Sequence, residues 1–109
     1  MIEFTASGAP PVVSRAIEEV AAGQGSVTAL VVPWESHGDT WNMAVTSVRS
    51  DGWAIEHTNL GTITLTDLGD GRTRVAAVAD EPDHVEKQKL VALFDCFADQ
   101  VQRRLECHP

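Results

Sequence analysis

The sequence has little basic charge, no tyrosine and no long hydrophobic run. Its 109 residues include 8 Lys and Arg against 16 Asp and Glu, for a formal net charge of -8, and the basic residues are scattered. Because a nucleic-acid backbone or an anionic membrane surface needs clustered positive charge, we expect neither as a partner. No apolar run approaches the roughly 20 residues that span a bilayer, and the N-terminus lacks the pattern of a signal peptide. We therefore expect no membrane insertion and a cytoplasmic location.

Motifs that carry chemistry are also scarce. Cys96 lies in a predicted C-terminal helix and Cys107 lies 11 residues further on, just past its end, so a disulfide between them would require the last turn to unwind, and we predict reduced thiols without a role. There is no Ser-His-Asp order, phosphate-binding glycine loop or paired-cysteine zinc spacing. Glu35, His37 and Asp39 could ligate a divalent ion from an extended strand, but the glycine between the last two indicates an exposed turn. We predict no metal and no cofactor.

The longest helical pattern covers residues 83–105. Its apolar positions recur every three or four residues and share one stripe: Leu90, Phe94, Phe97, Val101 and Leu105. Asp83 and Glu86 have the spacing of a capping box, and Arg103 and Arg104 place positive charge at the negative end of the helix dipole. At about 1.5 Å per residue these positions span roughly 35 Å, enough to cross a whole sheet. We predict a long C-terminal helix packed across a sheet.

Most of the preceding chain shows the two-residue alternation that is typical of strands. Alternating patterns cover residues 2–7, 41–49, 53–68 and 72–79, a β-branched run that is apolar on both faces predicts a further strand at residues 26–35, and a short helix is predicted from Pro10 to Gly23. Residues 53–68 exceed an ordinary strand, and Asn59, Leu60 and Gly61 in their middle indicate a tight turn or a bulge, of which we favour the turn. The prediction is a single α+β domain over residues 1–109, with a curved antiparallel sheet of about six strands, a short N-terminal helix and the long C-terminal helix.

A family resemblance lies in the last half of the chain. Residues 62–75, TITLTDLGDGRTRV, join an alternating strand, a glycine-rich hairpin and a Thr-Arg-Val return strand, and the long helix follows. In these features the chain resembles the SRPBCC superfamily, also called START-like or helix-grip, which includes polyketide cyclases, lipid-transfer domains and plant pollen allergens. The resemblance implies a curved sheet that grips the C-terminal helix, with a pocket between them for an apolar or aromatic ligand. The first half is shorter than in the family, because Gly23 is followed almost directly by Ser26, so we expect a narrow pocket.

The implied pocket would be lined by strand and helix positions that face each other. Trp53, Ile55 and His57 share one face of a predicted strand, and small residues such as Ala6 and Ala77 leave space opposite the large side chains of the helix. We predict these ligand-binding residues: Trp41, Met43, Trp53, Ile55, His57, Leu65, Phe94 and Phe97. The first predicted function is therefore a START-like module that binds an apolar small molecule.

Two other functions stay open. His57 is the titratable group predicted on that strand face, and a cyclase- or hydrolase-like enzyme could use it as an acid or base, aided by Glu56 or Arg49. A core histidine that is hydrogen-bonded to backbone or water would show the same pattern. The third hypothesis is a non-enzymatic interaction domain that forms a homodimer through the strand edge at residues 2–7 or through an exposed aromatic patch. The sequence does not decide whether the protein is an enzyme.

Overall fold

The structure is a computed structural model that describes residues 2–25, 27–32, 38–50, 53, 55–79 and 87–105, without the side chains of residues 49, 50, 55–57 and 87. Its helices and strands follow in the order β1 (Ile2–Ser7), α1 (Pro10–Gln24), β2 (Val27–Val31), β3 (Thr40–Ser50), β4 (Ile55–Asp67), β5 (Arg72–Ala79) and α2 (Lys87–Leu105). The described part of the chain is therefore an α+β fold with five strands and two helices.

The strands form one antiparallel sheet in the order β1-β5-β4-β3-β2. Strands β2 to β5 pair with their chain neighbours as a meander, whereas β1 pairs with β5, from Ile2 with Ala77 to Ser7 with Arg72. The chain thus leaves one edge of the sheet after β1 and enters the opposite edge through α1. The predicted α+β class, with an antiparallel sheet, a short N-terminal helix and a C-terminal helix, is confirmed.

The prediction of six strands is wrong, because residues 53–68 do not divide at a turn. Strand β4 runs without interruption, and its register against β3 shifts where Val45 pairs with Gly61 and Thr46 pairs with Asn59. Leu60 is the extra residue of this bulge, and its side chain is buried in the core, where a turn residue would not be. Gly61 does not adopt the positive φ that a tight turn would take from a glycine.

The first helix has a proline start and a glycine stop. Pro10 and Pro11 occupy its first positions, where their missing N–H groups cost no intrahelical hydrogen bond. The helix ends at Gln24, just beyond the predicted Gly23, because Gly25 takes the left-handed conformation (φ 77°) that closes a helix.

The apolar stripe predicted for α2 is confirmed. Buried along it are Leu90, Phe94, Phe97 and Val101, and Leu105 packs against this core. Arg103 and Arg104 occupy the last turn, where they complement the helix dipole. The predicted capping box of Asp83 and Glu86 lies outside the described residues. No helix in the described part of the chain is long and apolar enough to cross a bilayer.

A single core joins the two helices to one face of the sheet. Alternate strand positions point into it, such as Phe4 and Ala6 of β1 and Val75 and Ala77 of β5, while the positions between them are more exposed. Both helices contact the sheet and each other. The opposite face of the sheet carries neither helix.

Candidate functional site

Four of the predicted ligand-binding residues are almost fully buried in the core. Met43, Leu65 and Phe97 have no exposed surface, and Phe94 is 1% exposed. A space large enough for a water molecule would give the side chains around it some accessible surface. No such space therefore touches Met43, Leu65 or Phe97, and all four side chains form part of one core cluster.

The closest approach of α2 to the sheet is at the bulge. A Cβ atom built on Gly61 would lie 2.7 Å from Phe94 Cε2 and 2.5 Å from the Val78 carbonyl oxygen, so the phenyl ring occupies the place of a side chain. Ala6 and Ala77 are also buried. At Gly61, therefore, the space that a small residue leaves is filled by a large side chain of the helix.

The two tryptophans predicted to contact ligand lie at opposite ends of the β3–β4 hairpin. Trp41 is partly buried, pairs with Leu65 and packs against the core. Trp53 precedes β4, and its side chain is fully exposed. Val48, near the hairpin end that carries Trp53, is seven residues from Trp41, or about 23 Å along a strand. One small molecule cannot contact both tryptophans in this arrangement.

The positions of Ile55 and His57 are described only for the backbone. His57 pairs with Val48 of β3, and Ile55 pairs with Ser50. Their side chains lie outside the described part of the structure, so the prediction that they face the helix stays a prediction. The bulge at Leu60 interrupts the alternation that related these positions to Leu65, and the odd-numbered pattern therefore does not carry across it.

The β3–β4 hairpin extends past the strands on either side of it. Strand β5 ends where Ala79 pairs with Gly61, and the pairing of β2 begins where Val27 pairs with Ser47. The three pairs beyond these points, at residues 48–50 and 55–57, have no strand neighbour among the described residues. Trp53 lies at the tip of this projecting segment, which we call the hairpin arm (residues 48–50, 53 and 55–57).

A polar notch of about 280 Å³ lies between the C-terminal halves of the two helices. Its lining is Glu19, Val20, Gly23, Gln24, Gln100 and Arg104. Arg104 Nη2 lies 3.2 Å from Glu19 Oε2, and Gln24 donates from Nε2 to Gln100 Oε1. The volume is below the roughly 300 Å³ at which small-molecule pockets begin, and these polar groups already pair with one another. The notch is distinct from the apolar pocket expected under α2.

Other candidate groups form no cluster. Asp39 lies in the turn before β3, whereas Glu35 and His37 lie outside the described residues, and the described residues include no group of three potential metal ligands. Cys96 is exposed and accepts a hydrogen bond from Gln100 Nε2 at 3.7 Å. Cys107 lies outside the described residues.

The β4–β5 turn carries the one pKa shift resolved among the described groups. Arg72 donates to Asp70 Oδ2 from Nε at 3.0 Å and from Nη2 at 2.5 Å. This side-chain hydrogen bond lowers the pKa of Asp70 below its ordinary value of 3.8. Both groups are on the surface, so the pair orders an exposed turn and marks no site.

No family model, curated protein or solved structure matches the chain.

Proposed function

We propose that the protein is a compact START-like module that binds an apolar or aromatic small molecule at the hairpin arm. The observation that carries this proposal is the fully exposed Trp53 on a segment that extends past both neighbouring strands. His57 is the second residue that we propose to contact the ligand, because its backbone position belongs to the same arm.

The topology supports the START-like part of the proposal. Strands β1 and β2 lie at opposite edges, α1 connects them, and the meander returns to β1 before α2 packs over the same face. The resemblance implies a sheet that packs against a C-terminal helix, as here, and the short first half predicts a shorter sheet. A shorter sheet encloses less space between itself and the helix, which agrees with the filled core at Met43, Leu65, Phe94 and Phe97.

The energetics favour the arm over the middle of α2. A ligand under α2 would have to displace closely packed side chains, at a cost of several kcal/mol for each large one. An indole side chain offers roughly 200 Å² of surface, and covering half of it gains about 2–3 kcal/mol at about 25 cal/mol/Å². The ligand therefore gains apolar contact at Trp53 without opening the core.

Binding of N-phenyl-1-naphthylamine tests the proposal. This aromatic probe is uncharged, so the net charge of -8 does not repel it, and its own emission reports binding even when a tryptophan is removed. We expect the native protein to bind the probe and Trp53→Ala to bind it roughly 10- to 100-fold more weakly. Trp41→Phe is the control, because Trp41 lies at the other end of the hairpin and should leave the affinity unchanged.

Two results would contradict this function. The first is a native protein that does not bind the probe. The second is a loss of affinity in Trp41→Phe but not in Trp53→Ala, which would move the ligand to the opposite end of the sheet. Acid or base catalysis by His57 stays a prediction from the sequence. We expect His57→Gln to bind the probe more weakly than the native protein, and native-like binding would contradict the proposed contact at His57.

A further inference from the structure

The sheet face that points away from α1 and α2 is uncovered by the described residues. We call it the outer face: the strand positions that alternate with the buried ones. Its central row runs straight across four strands, through paired residues of β5, β4, β3 and β2: Val78, Thr62, Ala44 and Leu30. The neighbouring row is Glu3, Ala76, Thr64 and Asn42.

These two rows of the outer face carry little net charge, although the protein carries -8. In these two rows the only ionisable side chain is Glu3, and the guanidinium of Arg74 pairs with it. Thr64 Oγ1 donates to Asn42 Oδ1 at 2.9 Å, so the polar groups there satisfy each other. The other acidic side chains that the structure describes lie on the helices, in turns or at the end of β4, away from these two rows.

The central row also has a shape that can pack against itself. Leu30 at one end is 58% exposed and Val78 at the other is 47% exposed, while the short side chains of Ala44 and Thr62 lie between them. Three strand spacings of about 4.8 Å separate the two large residues by roughly 14 Å. The row is thus a shallow trough with an apolar group at each end.

We propose that the outer face is a homodimer interface in which two copies pack sheet against sheet. The two-fold axis runs parallel to the strands between β3 and β4, because this axis places Leu30 of one copy against the partner's Val78 and repeats that contact at the other end. Ala44 then faces the partner's Thr62, and the troughs close over each other. The proposal is independent of the ligand proposed at the hairpin arm.

Charge and area together set the strength of this dimer. Two copies of net charge -8 repel each other, and the two rows of the outer face add little to this repulsion because Glu3 is paired with Arg74. The contact is four strands wide and about five residues long, roughly 19 Å by 17 Å. Because side chains project unevenly from the sheet, each copy would bury about 300–600 Å² of accessible surface. Stable dimers bury about 800 Å² per partner, and the expected complex is therefore weak and concentration-dependent.

Sedimentation velocity from about 5 µM to about 500 µM, a range that suits an interface of this size, tests the proposal. We expect the native protein to shift from monomer to dimer over this range, and added salt to tighten the dimer by screening the acidic surfaces. Leu30→Lys should weaken association at least 10-fold. Val12→Lys is the matched control, because Val12 is 61% exposed but lies on α1, and it should leave association unchanged.

A mixing experiment tests the axis itself. Leu30→Lys and Val78→Glu should each be monomeric alone, and their mixture should form a heterodimer, because one lysine then faces one glutamate and the second contact stays native. Circular dichroism of each variant checks that it is folded. The proposal is overturned if the native protein stays monomeric over the whole range. It is also overturned by a dimer that survives both substitutions, such as one formed through the edge of β1.

Discussion

Replacing Gly61 by alanine tests how tightly α2 is seated on the sheet. The added methyl carbon would lie 2.7 and 2.8 Å from two ring carbons of Phe94 and 2.5 Å from the carbonyl oxygen of Val78. Carbon atoms in favourable contact lie about 3.5–4.0 Å apart, so the overlap with the ring is roughly 1 Å. The carbonyl belongs to β5, which pairs with β4 on both sides of this point. The carbonyl oxygen therefore cannot move away from the added methyl group without disturbing those pairs.

Two opposing contributions determine how much Gly61→Ala changes the free energy of unfolding. Overpacking a closed core by one methyl group costs about 1–3 kcal/mol, and the Phe94 ring is only 1% exposed. The lower backbone entropy of unfolded alanine returns about 0.4–1 kcal/mol. We therefore expect Gly61→Ala to lower the free energy of unfolding by about 1–2 kcal/mol. For a domain of this size, that corresponds to a midpoint roughly 4–10 °C lower.

Urea denaturation of Gly61→Ala and Gly23→Ala gives the measurement and its control. The same methyl group on Gly23, inside α1, would meet nothing within 4 Å, so Gly23→Ala should raise the free energy of unfolding by about 0.5–1 kcal/mol through helix propensity. Opposite shifts in the urea midpoint, with unchanged slopes, are the expected result. Equal stabilisation by both substitutions would refute the close contact between Gly61 and Phe94.

Three further substitutions probe other parts of the fold. Thr73→Val should cost about 1–2 kcal/mol in urea denaturation, because the buried hydroxyl donates to the Gly8 carbonyl at 2.7 Å and valine leaves that acceptor unpaired. Gly25→Ala should cost about 1 kcal/mol in the same assay, because φ at this residue is 77°. Asp70→Asn should lower the thermal midpoint slightly at about pH 6 and leave it unchanged at about pH 2. The sign follows from the lowered pKa of Asp70, since the contribution of a carboxylate paired with Arg72 is present above the unfolded pKa of 3.8 and is lost as the pH falls through the folded value.

The elements that could be predicted from the sequence are those fixed by local repetition. The stripe of α2 repeats every three to four residues, and the same period buries Phe94, Phe97 and Val101 in the structure. The start of α1 at Pro10 follows from an equally local cause, the fixed φ and missing N–H of proline. The strand order is not local. It depends on β1 pairing with β5, about 70 positions away, for which the alternation of either strand offers no specific signal.

The bulge shows where local reasoning about a strand fails. A glycine within a strand pattern can mark a turn, or it can mark a place where a neighbouring group approaches closely. The sequence around position 61 does not distinguish the two. Here the neighbour is the ring of Phe94, which lies 33 positions further along the chain. The need for glycine therefore arises from tertiary packing. Because Leu60 is an extra residue, the alternation on one side of the bulge is out of step with the other, and a face assigned to the whole of residues 53–68 could not be correct throughout.

The sequence does not show whether the large side chains of the helix fill the space beside the small residues of the sheet. Small residues opposite large ones can enclose a cavity or fill one another, and the two outcomes have the same composition. At Gly61 the ring of Phe94 fills the space, and Ala77 is buried in the core. Exposed apolar side chains lie outside this core, at Trp53 on the hairpin arm and at Leu30 and Val78 on the outer face. We therefore propose a ligand at the end of the sheet and a partner on its outer face. Trp53→Ala tests for the ligand, and Leu30→Lys tests for the partner.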